Sequence, residues 1–473
     1  MGRGRSSLRQ RHSEVRTPAA ARIEGVARRA VRDPLRSTPR SASRGQVLAL
    51  LLPLLAALIA VLWWVLEAGE AALEKQRLRN TADAAVLAGA VWQAKVQNFD
   101  AYTNRAIVAN EAFIAQAVSL RGWSAYLDDL LPKASLVTAP VPYLGPVMTA
   151  LQRAWDAIDR ALQPTLLATE GITSLLNHDL AAAQRLMHAS VPVAVPQLVQ
   201  AVVSANDSRY EITTGGESLL LDSAAEWSQY ASFYGGSFRW RQRDVIQRSM
   251  DGFSHERNWS LGLPMLRLQK RAGTELIDFD TWRALDTLAI HQPRYFFFGR
   301  MRETTPVAWA AVENGVRTPL RGIHGGAYSV NPRTARLAER FLQRGRGYLG
   351  LPSMWDLSSA QRAAFDPPVV SVRIALADER RRSARTLWNF DRLGDLSGDD
   401  HTLSSSAAGA RMFAEAAATT SFHRPVPRID GAHELPSLYN PYWRPRLTAL
   451  PLRQRLQVAA LDGDPLWLAG VPR

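Results

Sequence analysis

The sequence VLALLLPLLAALIAVLWWVL, from Val47 to Leu66, decides the architecture of this chain. Roughly 20 apolar residues that rise about 1.5 Å each cross the ~30 Å hydrocarbon core of a bilayer. A charged side chain at the centre of such a helix costs about 2.5–3.5 kcal/mol on insertion, and this stretch contains none. Trp63 and Trp64 lie where aromatic side chains meet the membrane–water interface. The pattern predicts a transmembrane anchor at residues 45–66, and a buried core helix is the alternative.

The charges on either side of the apolar stretch predict its orientation. Residues 1–44 contain 12 arginines and three acidic residues, whereas Glu67, Glu70 and Glu74 follow the stretch. Positive flanks stay in the cytoplasm, so we expect residues 67–473 in the periplasm of a bacterium. An Arg-rich tail can also bind nucleic acid. We interpret it as a disordered tail that sets topology and contacts anionic lipid of the bilayer, with no nucleic-acid partner.

A long helical pattern continues directly from the apolar stretch to about Leu131. Positions spaced alternately by four and three from Leu78 to Leu120 are nearly all apolar or small, which predicts one helix with a continuous seam. Such a seam packs either in the core of its own domain or against partner subunits, including a second copy. The candidate interaction residues on this seam are Ala85, Gly89, Trp92, Val96, Phe99 and Phe113.

Short motifs in this part of the chain resemble a known family. Arg44-Gly45-Gln46 before the apolar stretch and KQRLRNTADAA from Lys75 to Ala85 resemble the N-terminal module of TadE/TadG-like Flp (tight adherence) pilus-assembly proteins. AYTNRA from Ala101 and PSLYNPYW from Pro436 are similar to the long proteobacterial TadG-like branch. The resemblance implies an inner-membrane component of the pilus machinery with a large periplasmic part, whose partners are pilins or other pilus-assembly membrane proteins. The DxSxS metal motif of many TadG proteins is absent from the sequence, so neither that domain nor its metal is transferred.

The remaining sequence predicts an α+β protein. Residues 132–228 predict two or three antiparallel helices delimited by Pro164, Pro192 and Pro196, after a turn that begins at Pro132. Beyond residue 229, short β-prone segments predict a mixed antiparallel sheet: SFRWRQRD near 237, LPMLRLQ near 263, RYFFFG near 294 and VVSVRIALA near 369. Helices are expected at residues 334–343 and 360–364, and a polar loop at 394–406. The expected domains are 1–44 (tail), 45–66 (anchor), 67–131 (long helix), 132–228 (helical region) and 229–473 (periplasmic α+β domain).

Sites for catalysis are weak in this sequence. The chain has no cysteine, which excludes disulfides, thiolate metal sites and thiol nucleophiles. The segment from Gly345 to Gly350 spells a dinucleotide fingerprint, but a helical pattern precedes it and Pro352 follows it, so a turn after a helix is expected instead. We therefore predict no catalytic, cofactor or metal site and a non-enzymatic role in pilus assembly. A membrane-anchored periplasmic binding or sensor module and a tethered hydrolase are the alternatives.

Overall fold

The structure is a computed structural model that describes residues 46–233, 239–263, 265–293, 301–316, 326–377, 412–432 and 434–462. The chain divides into two compact units, residues 1–68 and residues 69–473. In the first unit, the described part is entirely helical. The predicted disordered tail, the polar loop at 394–406 and the RYFFFG segment lie outside the described residues.

Two long helices begin the fold: α1 (Gln46–Thr138) and α2 (Leu144–Asn206). The predicted helix end at Leu131 and the turn at Pro132 are wrong, because α1 continues through both, and residues 139–143 form the turn. The predicted region 132–228 does contain two further helices, α2 and α3 (Thr214–Tyr230), but the predicted boundaries are wrong, since Pro164, Pro192 and Pro196 lie inside α2. A proline removes one backbone hydrogen bond, and the packing of α2 along its length outweighs that loss.

Helices α1 and α2 form an antiparallel hairpin whose interface is polar in its middle part and towards the turn. The side chains of Asn104 and Gln184 form a hydrogen bond of 2.8 Å, and Asn177 donates to Glu111 at 2.9 Å. Nearer the turn, the hydroxyl groups of Ser135 and Thr149 form a hydrogen bond of 3.1 Å. These contacts fix the register of the two helices, since a buried polar group without a partner is costly.

The shorter helices are distributed between three sheets. They are α3 (Thr214–Tyr230), α4 (Arg239–Arg248), α5 (Gly252–His255), α6 (Ala327–Val330), α7 (Pro332–Arg340), α8 (Ser359–Ala363) and α9 (Leu452–Leu461). The structure confirms α7 and α8 as predicted from the sequence. It contradicts the strand predicted near residue 237: residues 239–248 form α4, which buries Ile246 in a core shared with Leu276.

Eleven strands complete the described part of the second unit. They are β1 (Tyr210–Ile212), β2 (Ala231–Phe233), β3 (Trp259–Leu263), β4 (Leu266–Ile277), β5 (Thr281–Pro293), β6 (Met301–Gly315), β7 (Gln343–Gly345), β8 (Trp355–Leu357), β9 (Val369–Leu376), β10 (Phe413–Phe422) and β11 (Trp443–Thr448). The strands predicted near residues 263 and 369 are confirmed as the β3–β4 hairpin and β9.

The strands form three sheets with the orders β1-β9-β10-β11, β2-β8 and β3-β4-β5-β6-β7. All pairs are antiparallel except β6 with β7. The predicted α+β class is therefore confirmed. One hydrophobic core joins α1 near Ala85 to α2 and the four-stranded sheet, and a second joins α1 near Ile114 to the five-stranded sheet. Helix α1 is thus the common support of both sheets.

Candidate functional site

The apolar stretch near the N-terminus has the exposure of a membrane anchor. Every side chain from Leu50 to Glu70 is exposed, and the most apolar 18-residue window is 0% buried. Soluble proteins rarely expose a contiguous apolar surface of this length. Helix α2 is also long and apolar enough to span a membrane by composition, with 28% of its window buried. The structure therefore supports membrane anchoring without fixing the number of passes.

Most of the predicted interaction residues lie inside this chain's own core. Ala85 and Val96 are fully buried, and a Cβ added to Gly89 would lie 3.0 Å from Val195 on α2 and Val370 on β9. Trp92 and Phe99 are half-buried, whereas Phe113 is 48% exposed. Contact with a partner subunit therefore stays a prediction, and Phe113 has the largest free surface for it.

The two segments that carried the family resemblance meet in the structure. Asn104 of the AYTNRA segment donates from Nδ2 to the carbonyl oxygens of Leu438 at 2.8 Å and Trp355 at 2.7 Å. Leu438 belongs to the PSLYNPYW segment, and Trp443 at its end pairs with Asn98 on α1. Residues more than 300 positions apart in sequence are therefore joined by amide side chains of α1.

A buried carboxylate, Glu111, lies where α1, α2 and the five-stranded sheet meet. Its Oε2 accepts hydrogen bonds from Trp282 Nε1 at 3.0 Å and Tyr348 OH at 2.9 Å, and its Oε1 accepts from Asn177. Burial raises the pKa of Glu111 to about 7, although the three donors oppose this shift. Because Glu111 is 0% exposed, it joins elements of the fold and does not face a substrate.

A second buried carboxylate lies next to an aromatic stack. His188 is stacked between Trp355, with ring centroids 4.0 Å apart, and Trp227, at 4.8 Å. Its Nδ1 lies 3.9 Å from Asp100 Oδ2 on α1. Burial raises the pKa of Asp100 to about 6, and the neighbouring His188 opposes this shift. The arrangement fixes α2 against α1 and β8, and it is closed to solvent.

The third buried charge cluster is in the five-stranded sheet. Asp286 on β5 is 0% exposed and pairs with Arg257 at 2.9 Å and with Lys270 at 3.1 Å. These two cations outweigh the effect of burial and lower the pKa of Asp286. Sequence reasoning missed all three clusters, because their members are distant in sequence and only the fold brings them together.

The glycine fingerprint adopts none of the geometry of a dinucleotide site. Gly345 ends the short strand β7, and Gly350 has a positive φ of 89° with Asp280 packed against it. The backbone N–H of Tyr348, between them, donates to Asn314. Within the described ranges, no group of three or more His, Asp or Glu side chains is arranged to hold a metal ion.

Helix α2 buries a mostly polar face and exposes an apolar face on its opposite side. From residue 170 to 188, the face against α1 is buried and mostly polar: Glu170, Ser174, Asn177, Ala181, Gln184 and His188. On the opposite side, positions spaced alternately by three and four are all exposed, and we call them the outer seam: residues 144, 147, 151, 154, 158, 161, 165, 168, 172, 175, 179, 182, 186, 189 and 193. Apart from Thr165 and Asp179, the outer seam is apolar.

Comparison with known proteins agrees with the N-terminal motifs. No curated protein and no solved structure shows significant similarity to the chain. A family model matches residues 45–93, which contain the apolar stretch and the KQRLRNTADAA motif, and this match confirms the resemblance for that segment. The family of that model is the TadE/G-like Flp pilus-assembly proteins, to which the segment from residue 45 to residue 93 is similar.

Proposed function

We propose that this protein is a non-enzymatic component of Flp-type pilus assembly that acts as a membrane-anchored scaffold. The match of residues 45–93 to the Tad family carries the proposal. The exposed apolar segment from Leu50 to Leu66 supports anchoring, and the Arg-rich residues before it support a cytoplasmic N-terminus and a periplasmic second unit. Pilins or other pilus-assembly membrane proteins are the partners.

A single pass through the membrane fits the contacts of α2 better than a second span. Glu170 on α2 is 0% exposed and forms an ion pair of 3.0 Å with Arg121 on α1. Its Oε2 also accepts from Asn314 on β6. An ionised pair and a sheet contact at the middle of α2 belong to a folded aqueous domain, because charges at the bilayer centre are costly.

Scaffolding follows from the way α1 is built. The helix emerges from the anchor segment, and its buried residues Leu78, Ala82 and Val86 pack in the core of the four-stranded sheet. Farther along, Ile114 and Val118 pack in the core of the five-stranded sheet. One helix therefore carries both sheets, and its buried carboxylate Glu111 accepts hydrogen bonds from three donors on other elements. This arrangement is suited to holding the two sheets at fixed positions along α1, as a scaffold requires.

A complementation experiment in the bacterium that carries the gene tests this function. Deletion is expected to remove surface pili seen by electron microscopy, and the wild-type gene is expected to restore them. Leu58→Arg, at the centre of the apolar stretch, should fail to restore pili because its insertion costs about 2.5–3.5 kcal/mol. Leu73→Arg, exposed outside the stretch, is the matched control and should restore them.

The same strains test the non-enzymatic part of the proposal. Glu111→Gln removes the ionisable group of Glu111 but keeps its shape, so a scaffold should retain pili. Loss of pili with normal amounts of the variant in the membrane would indicate that the carboxylate has a chemical role. Normal piliation of the deletion strain would overturn the proposed function altogether.

A further inference from the structure

The outer seam of α2 is a long apolar surface that the described part of the second unit leaves uncovered. Ile172 is 70% exposed, Leu175 54% and Leu186 75%. The alternation of three and four residues gives a period of 3.5, which is that of helices packing side by side. A helix that buries polar residues and exposes apolar ones implies a further covering surface from outside the chain.

Helix α1 carries a second stripe, partly or fully exposed, on the side away from α2. This outer stripe has the same alternation of three and four and consists of Phe99, Tyr102, Ala106, Ala109 and Phe113. Tyr102 is 63% exposed and Phe113 48%. The next position in the spacing is the exposed polar residue Gln116, which ends the stripe. The hairpin therefore presents one apolar strip at each of its two outer edges.

We propose that the outer seam of one copy packs against the outer stripe of a second copy, so that hairpins associate edge to edge in a head-to-tail manner. Helices α1 and α2 run in opposite directions within each copy, so this contact is antiparallel when the copies stand side by side in the same orientation. The proposal depends on the proposed membrane anchoring in one respect: copies anchored in the same membrane share an orientation. A head-to-tail contact of this kind generates rings or rows.

The register within one copy predicts the register between copies. In the middle of the hairpin, where the outer stripe lies, facing residues have numbers that add to 288, as in the pairs Asn104–Gln184 and Glu111–Asn177. When neighbouring copies stand at the same height in the membrane, a residue on α1 of one copy and the residue that faces it on α2 of the next copy also have numbers that add to 288. Every residue of the outer stripe then faces a position of the outer seam.

The side chains that meet at this register are compatible in size and polarity. The large apolar pairs are Phe113 with Leu175 and Tyr102 with Leu186. Between them, the small Ala106 faces the small Ala182, where no side chain obstructs the contact. The outer stripe ends at Gln116, so the proposed contact covers about four turns of each helix.

The charges at this register are complementary as well. Asp179 is the one charged position of the outer seam, and it faces the small Ala109. Exposed Arg105 precedes Ala109 by about one helical turn on α1, within reach of the Asp179 carboxylate. Two copies of α2 packed in parallel would instead place Asp179 against itself. The pairing of unlike helices is therefore favoured over the pairing of like ones.

Lipid is a weaker candidate for covering the outer seam. Interfacial helices combine large apolar residues with Lys and Arg along their flanks. The outer seam alternates with Ala at residues 154, 161, 168, 182 and 189, which bury little area. Beside the part of the seam that forms the proposed contact, Arg185 stacks over Phe233 of its own chain, 4.9 Å from the ring centroid. The exposed Arg153 and Arg160 lie beside the seam nearer the turn, outside this contact. Small residues at regular intervals favour a helix as the covering surface.

Disulfide trapping in native membranes tests the contact, because the chain has no cysteine of its own. The double variant Ala106→Cys/Ala182→Cys should form a ladder of dimers, trimers and larger species on non-reducing gels after mild oxidation. Both substitutions are small and keep the large apolar pairs of the contact. The two cysteines lie on opposite outer edges of the hairpin, so they cannot bridge within one chain. Either single variant alone should remain monomeric.

Two further variants make the test specific. Ala106→Cys/Ala168→Cys has both residues on the proposed surfaces, but Ala168 lies 14 positions from Ala182, so this variant should give no ladder. Asp179→Arg, added to the Ala106→Cys/Ala182→Cys variant, should reduce the amount of cross-linked species about tenfold, which corresponds to ~1.4 kcal/mol. The added change Arg105→Asp should restore it by reversing the pair.

The outcomes separate this inference from the proposed function. Absence of a ladder from a membrane-inserted Ala106→Cys/Ala182→Cys variant would overturn the inference, and so would dimers formed by either single variant. A ladder equally strong in the out-of-register variant would also overturn it. If the ladder forms in a strain whose piliation does not depend on the gene, the edge-to-edge contact stands and the proposed function fails.

Discussion

The side-chain amide of Asn98 on α1 pairs with both backbone polar groups of Trp443 at the start of β11. Its Nδ2 donates to the Trp443 carbonyl oxygen at 2.9 Å, and its Oδ1 accepts from the Trp443 N–H at 3.1 Å. The Asn98 side chain thus takes the place of a neighbouring strand as the hydrogen-bond partner of the Trp443 N–H and carbonyl groups. The pair ties the C-terminal sheet to the helix that emerges from the anchor segment.

Asn98→Asp should therefore destabilise the second unit. The substituted carboxylate keeps the acceptor but loses the donor, and it faces a carbonyl oxygen. We expect a loss of about 1–3 kcal/mol in the free energy of unfolding, measured by tryptophan fluorescence in denaturant. Asn80→Asp, exposed on the same helix, is the control and should change it little. Equal behaviour of the two variants would refute the structural role of Asn98.

The sequence predicted the helical beginning of the fold well, because local patterns determine it. Absence of charge located the apolar stretch, and the three-to-four spacing located α1. The helix ends predicted at Pro132 and Pro164 are wrong, because a proline predicts a helix break from its local chemistry alone. In the structure, Pro132 and Pro164 are exposed positions within long helices, whose packed lengths on either side keep the helix continuous.

The candidate site was less predictable, because it depends on contacts between distant residues. Nothing in the local sequence indicates that Trp282 and Tyr348 would donate hydrogen bonds to Glu111. Val147, Leu151 and Ile158 repeat at three-to-four spacing, a pattern that by itself predicts a packed helix face. These residues belong to the outer seam, since the opposite face of α2 is the one that packs. Periodicity locates an apolar face but not the molecule that covers it.

Replacing Asp286 should be among the most damaging single changes. Asp286→Asn would leave the buried cations Arg257 and Lys270 without their counter-charge. Removing one partner of a buried ion pair costs about 3–5 kcal/mol, which should appear as a large drop in thermal midpoint. Asp430→Asn removes a carboxylate paired with exposed Arg428 and should leave the midpoint unchanged. A small effect at Asp286 would mean that the cluster is hydrated.

Gly122 lies where α1 approaches the five-stranded sheet closely. A Cβ at this position would lie 2.8 Å from Ala284 Cβ on β5, and neither methyl group can rotate away. Gly122→Ala should therefore separate helix from strand and cost about 1–3 kcal/mol. Gly69→Ala, on the same helix with nothing within 4 Å of the added Cβ, should be neutral or stabilise by about 0.5–1 kcal/mol. Circular dichroism melts of both variants measure the contrast.

The buried Glu111 predicts how stability depends on pH. Its pKa is about 7 in the folded chain and near the ordinary 4.5 in the unfolded chain. Between these values the folded state holds the extra proton, so this group's contribution falls as pH rises from about 4.5 to 7 and is constant above. The total change is on the order of 3 kcal/mol. Asp100, with a pKa of about 6, acts in the same direction.

Glu111→Gln isolates the contribution of one carboxyl group. The amide cannot titrate, and its neighbours Asn177 and Asn110 can rotate their own amides to meet it, since they already form a chain of hydrogen bonds. The free energy of unfolding of the variant should fall less steeply than that of the wild type between pH 5 and 7. Denaturant titrations at several pH values measure both slopes. Parallel slopes would show that Glu111 titrates alike in the folded and unfolded states and that its burial is relieved by water.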